Sequence, residues 1–141
     1  MYRCPLDYKY DDERDAPIPC TLYTLDEIFD MFYERLESFG RTVVRSEIRP
    51  NLHSLVCFGS FARGESTAAS DIDLLVIVKH HELVTPTRRF INRLLDDCEI
   101  SFPEIDLVVK SIQAMEDPEM HDYFWEQIQK DGVTIWESKD P

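Results

Sequence analysis

The feature that most constrains this fold is a break followed by a restart. An apolar run over residues 52–58 stops at Gly59-Ser60. A second apolar run, residues 72–78, opens on Ser70-Asp71-Ile72-Asp73. A short continuous apolar run bounded by turn signals reads as a strand buried on both faces. Two such strands must be covered by other elements, and the flanking sequence supplies them. Thr24-Leu25-Asp26-Glu27 has the form of a capping box, with Thr24 as N-cap. Ile28, Phe29, Phe32, Leu36 and Phe39 then follow at helical spacing, and Gly40 is the expected stop. A short helix is expected from Ser60 to about Gly64. A helix over residues 87–98 carries Phe90, Ile91, Leu94 and Leu95 on one face, with Arg88, Arg89 and Arg93 on others. A third strand is expected over residues 102–109. A last helix over residues 120–130 ends at Gly132, before a short strand over residues 133–136. This order predicts a small α/β (α+β) domain, a mixed sheet with helices packed on one side.

At 141 residues one domain is the natural size. Residues 1–20 hold Asp7, Asp11, Asp12, Glu13 and Asp15 among three prolines, and read as an irregular acidic arm ahead of a domain over residues 21–141. No apolar run is long enough for a membrane span, and no apolar segment follows Met1 as a signal peptide requires. Cys4, Cys20, Cys57 and Cys98 are scattered without metal-binding spacing, which suits a reduced cytoplasm. His80-His81 reads as a solvated loop, because adjacent side chains diverge. The formal net charge of -13 disfavours direct nucleic-acid binding, which calls for a basic face. It favours a metal-dependent site and a basic protein partner, or serves solubility alone, and charge by itself does not separate the two.

The chemistry concentrates at the break. Side chains at i and i+2 of a strand point the same way, so Asp71 and Asp73 face together. Two like charges at the edge of a core are costly unless a cation neutralises them. Asp106 repeats the pattern within Ile105-Asp106-Leu107-Val108-Val109. If its strand lies beside the second, three carboxylates converge, enough to hold two Mg2+ ions for phosphoryl-type transfer. Asp106 can also accept the proton of an incoming hydroxyl. Gly59 lets backbone approach phosphates, Ser60 donates a hydrogen bond to them, and Arg63 offers a fork to a phosphate or a neighbouring carboxylate. Gly64 permits a turn. Ser66 and Ser70 border the same loop, Ser70 as a further candidate nucleotide contact.

Gly59-Ser60, ten residues, then Asp71-Ile72-Asp73 resembles the signature of the polymerase-beta-like nucleotidyltransferases. The longer string GSFARGES…SDIDLLV resembles their minimal nucleotidyltransferase (MNT) branch, and the likeness runs from about Thr24 to Trp136, through Lys130-Asp131-Gly132-Val133. The resemblance implies that family's fold, ATP as co-substrate and magnesium as cofactor. Larger members add a domain that holds the acceptor, so a chain of this size is expected to find its acceptor surface on a second polypeptide. Free-standing MNT proteins resemble the antitoxins of HEPN–MNT toxin–antitoxin pairs. In those pairs, AMP is moved from ATP to a tyrosine of the HEPN ribonuclease. Two alternatives stand beside that expectation: neutralisation of the partner by binding alone, and a small-molecule, aminoglycoside-like nucleotidyltransferase working as a homodimer.

Overall fold

The computed structural model describes residues 10–11, 16–17, 25–65, 71–98 and 103–139. The expected cap Thr24 and the loop serines Ser66 and Ser70 lie outside the described residues, as does most of the expected acidic arm. Within that arm, β1 (Tyr10–Asp11) and β2 (Ala16–Pro17) form a short antiparallel ladder.

The main body is a four-stranded sheet in the order β5 (Ile105–Ser111), β4 (Ile72–Val78), β3 (Leu52–Phe58), β6 (Val133–Glu137). β3 runs antiparallel to β4 and β6, while β4 and β5 are parallel, so the sheet is mixed. A parallel neighbour demands a crossover, and α3 (Val84–Asp96) provides it. The sidedness follows from strand alternation. Ile72, Leu74, Val76 and Val78 enter the larger core with Ile91 of α3 and with Met31, Phe32, Leu36, Phe39 and Val43 of α1 (Leu25–Val44). Leu75 and Ile77 project to the other face, with Val56 and Phe58. There α4 (Ile112–Glu116) and α5 (Tyr123–Asp131) cover them through Ile112, Met115, Phe124 and Ile128. The expected α/β domain with a mixed sheet is present. Its two longest helices share one face, but the expectation of helices on one side only needs correction, because a strand apolar on both faces must be covered twice.

Several boundaries differ from expectation. Gly40 does not stop α1. The helix continues to Val44, because Val43 is fully buried and Gly40 lies flush against Leu55 and Ile135. α3 starts at Val84, ahead of the expected residue 87. Pro86 falls in its first turn, where a missing N–H costs no helical hydrogen bond. α5 starts at Tyr123, because the Asp122 carboxylate accepts from Trp125 N at 3.1 Å and caps it. Pro118–Met120 is a separate 3-10 turn. β5 covers Ile105–Ser111, and Phe102, the expected first residue of that strand, lies outside the described residues.

Candidate active site

The site lies where β3 and β4 meet at their loop ends, on the face that carries α5. β3 ends at Phe58, opposite Asp73 in the ladder. The next residue, Gly59, has φ 78, a left-handed conformation natural to glycine. The turn brings its backbone so close to Asp73 that a Cβ at Gly59 would fall on the carboxylate oxygen Oδ2. Gly59 thus sets how near the chain passes to Asp73.

α2 (Gly59–Ala62) follows directly. Its first turn has no side-chain cap, which leaves backbone N–H groups open where β3 ends, with Ser60 the second residue of the turn. It closes with Gly64 N donating to Phe61 O at 3.0 Å and Glu65 N to Ser60 O at 2.9 Å, a Schellman motif with Gly64 at φ 76. Phe61 anchors this short helix on α1, with ring centroids 5.5 Å from Phe32 and 6.1 Å from Phe29. Across the site, Phe58 meets Phe124 of α5 edge to face at 5.3 Å.

The parallel pairing of β4 with β5 places Asp106 directly beside Asp73, and Ile72 N donates to Glu104 O at 2.8 Å to start that register. Burial, then the charges of Asp106 and Asp71, push the Asp73 carboxyl up to about 6, and a hydrogen bond to Asp106 adds to the effect. Arg63 acts in the opposite direction. Asp71 and Asp106 are exposed, and Asp73 is half-buried between them. Among the described residues, no group of three His, Cys, Asp or Glu side chains is already gathered as a cation cage. Asp73 and Asp106 are instead direct neighbours across the parallel ladder. The donor set nonetheless fits a hard divalent cation: all three groups are carboxylates, and the raised proton affinity of Asp73 marks negative charge in want of a counterion.

Gly59, Ser60, Asp71, Asp73 and Asp106 are therefore brought to one end of the sheet. Arg63 comes with them, but it takes the carboxylate option. Its Nη1 donates to Asp131 Oδ2 at 3.1 Å and its Nε to Glu65 Oε2 at 3.3 Å. These two partners, Asp131 first, raise the guanidinium pKa. Sequence reasoning gave Asp131 no role, although Lys130-Asp131-Gly132 stood out as a string. A polar groove of about 440 Å³, lined by Arg63, Tyr123, Glu126, Gln127, Lys130 and Asp131, opens beside this pair. An apolar groove between α1 and β6, lined in part by Tyr33, Leu36, Gly40 and Ile135, sits at the sheet edge away from β5 and takes no part in the site. Cys57 is buried, and that burial first, then the charge of Asp73, raises its thiol to about 12, as befits a core residue.

The family model of a nucleotidyltransferase domain matches residues 41–133. A putative nucleotidyltransferase from Sulfolobus solfataricus superposes with a TM-score of 0.55 at 24% identity, over 80% of this chain and 86% of that one, and shares the fold. A toxin-antitoxin structure with AMP-PNP gives a TM-score of 0.44 at 21% identity, over 73% and 74% of the two chains. A mutant of the toxin-antitoxin MntA-HpeT gives 0.43 at 20%, over 73% of each. No curated protein matches in sequence. No described helix is long and apolar enough to cross a membrane.

Proposed function

The chain belongs to the nucleotidyltransferase domain family, and from that premise we propose that it moves a nucleoside monophosphate from a triphosphate to a hydroxyl on a protein. The observation that carries this reading is the meeting of Gly59 backbone, Asp73 and Asp106 at one end of the sheet. Backbone and carboxylates then address the same small volume, as a triphosphate and its cations require.

In this reading Asp71 and Asp73 hold one magnesium ion and Asp106 shares a second. When bound, magnesium neutralises the triphosphate and the departing pyrophosphate and acidifies the attacking hydroxyl. The first-turn N–H groups of α2 and the Ser60 hydroxyl orient the phosphates, with Ser70 proposed as a further nucleotide contact. Asp106 accepts the hydroxyl proton as the new O–P bond forms and the bond to pyrophosphate breaks. Phosphoryl-group chemistry of this kind rests on positioning and charge neutralisation, which a rigid sheet end supplies.

For the acceptor we propose a tyrosine of a HEPN-type ribonuclease, with ATP as donor, in the cytoplasm. The resemblance of GSFARGES…SDIDLLV to MNT antitoxins supports this reading. So does the charge of -13, which suits a basic protein acceptor better than a nucleic acid. The test is intact mass spectrometry of a co-expressed HEPN partner after incubation with this chain, ATP and magnesium. A gain in AMP-sized steps that vanishes with Asp71→Asn/Asp73→Asn is the expected result. An unchanged partner mass, with cells still protected by the double variant, would replace transfer with neutralisation by binding.

A further inference from the structure

Arg63 is a long cationic side chain four residues beyond Gly59, and Gly59 lies against Asp73. Its field already reaches Asp73. A tethered guanidinium in that place is the natural internal counterion for Asp71, Asp73 and Asp106, and would compete with any divalent cation for them. It is instead held elsewhere. Asp131, whose side chain is 11% exposed, takes Nη1, and Glu65 takes Nε of an Arg63 that is itself 34% exposed. The position of Asp131 is set by the core. It ends α5, and Gly132 N donates to Ile128 O at 2.8 Å. A Cβ at Gly132 would press on that carbonyl and come within 3.1 Å of Val56 Cγ1. The next residue, Val133, pairs with Cys57 of β3. The acceptor of Arg63 is therefore fixed to the same strand that delivers Gly59.

We propose that Asp131 is a positioning residue that holds the Arg63 guanidinium away from the Asp71–Asp73–Asp106 cluster and so keeps that cluster receptive to a divalent cation. This rests on the reading of the cluster as a cation site. It assigns a role in the site to the distant Asp131-Gly132 junction, where α5 turns into β6.

The experiment is calorimetric titration of the full chain with Mn2+ alone, without nucleotide, on wild type, Asp131→Asn, Arg63→Gln and the double variant, with circular dichroism on each. Asp131→Asn should bind Mn2+ about three- to tenfold more weakly, the scale of one misplaced charge near a half-exposed site. On the Arg63→Gln background the same change should have almost no effect, because the residue to be restrained is gone. Asp131→Glu should recover most of the affinity. If Asp131→Asn fails to fold, Glu65→Gln, which leaves the helix–strand junction untouched, should weaken Mn2+ binding in the same direction by a smaller factor. Equal Mn2+ affinity in the folded single variants overturns the proposal. So does a loss that persists on the Arg63→Gln background, since that is the direct effect of a removed negative charge. Absence of Mn2+ binding in wild type overturns the cation reading itself, and this inference with it, and is seen in the wild-type titration alone.

Discussion

At the scale of single residues, the site depends on one glycine and one acid in contact. Gly59 and Gly64 have nearly the same backbone angle, with φ of 78 and 76, yet only the first has Asp73 where a side chain would go, and the second has nothing within 4 Å. Gly64→Ala should therefore cost only its backbone strain, about 1–3 kcal/mol, and leave transfer intact. Gly59→Ala should lose the same stability and also transfer, because Asp73 must move; denaturation and turnover measured together check the contrast. Asp73 itself carries a pH signature. Its folded pKa of about 6 lies above the ordinary 3.8, so the native state holds that proton more tightly than the unfolded chain. The stability from this group is complete at pH below the ordinary value and is lost as pH rises to the folded value. Asp73→Asn should thus raise metal-free stability at neutral pH, flatten the fall across that window and abolish transfer. Urea denaturation at a series of pH values, beside an activity assay, reads both effects; a variant less stable than wild type at neutral pH would contradict the assignment.

At the scale of elements, α1 shows tertiary contact overriding a local stop signal. Glycine in a helix interior is unfavourable, but the helix continues through Gly40 because Val43 is buried and the sheet edge lies alongside. A Cβ there would sit 3.7 Å from Ile135 and 3.9 Å from Leu55, ordinary contact distances. Gly40→Ala should therefore stabilise the protein by about 0.5–1 kcal/mol, read as a raised melting temperature with unchanged transfer. α2 shows the opposite balance. It is too short to persist alone, and Phe61 against Phe29 and Phe32 holds it in place at the mouth of the site.

For the whole molecule, two cores lie on opposite faces of one sheet, and Cys57 and Ile72 of one and Phe58 of the other flank the β3–β4 end, so the site is braced from both sides. Little rearrangement should be needed on binding, and ligation should appear mainly as stabilisation. Magnesium with ATP should raise the melting temperature more than either alone, since carboxylates and triphosphate share the cations. At a hundredfold excess over Kd the gain is about 2.7 kcal/mol. No shift and no calorimetric heat at millimolar ligand would argue against a nucleotide site in this chain.

Local order within the chain was enough to locate the two central strands, the break at Gly59-Ser60 and the side-chain alternation along β4. Each depends on residues adjacent in sequence: a two-residue side-chain alternation, an apolar run or a turn glycine. The helix limits are less legible in the sequence, because Gly40, Pro86 and Asp122 act according to what packs around them. Strand order was decided only by tertiary structure. Parallel pairing of β4 with β5 sets Asp106 beside Asp73, and the end of α5 brings Asp131 to Arg63 across 68 positions of chain. No local pattern encodes those meetings. They arise because a sheet apolar on both faces is stable only when helices from distant parts of the chain close over both, and the charged groups that meet at its end are carried there by that closure.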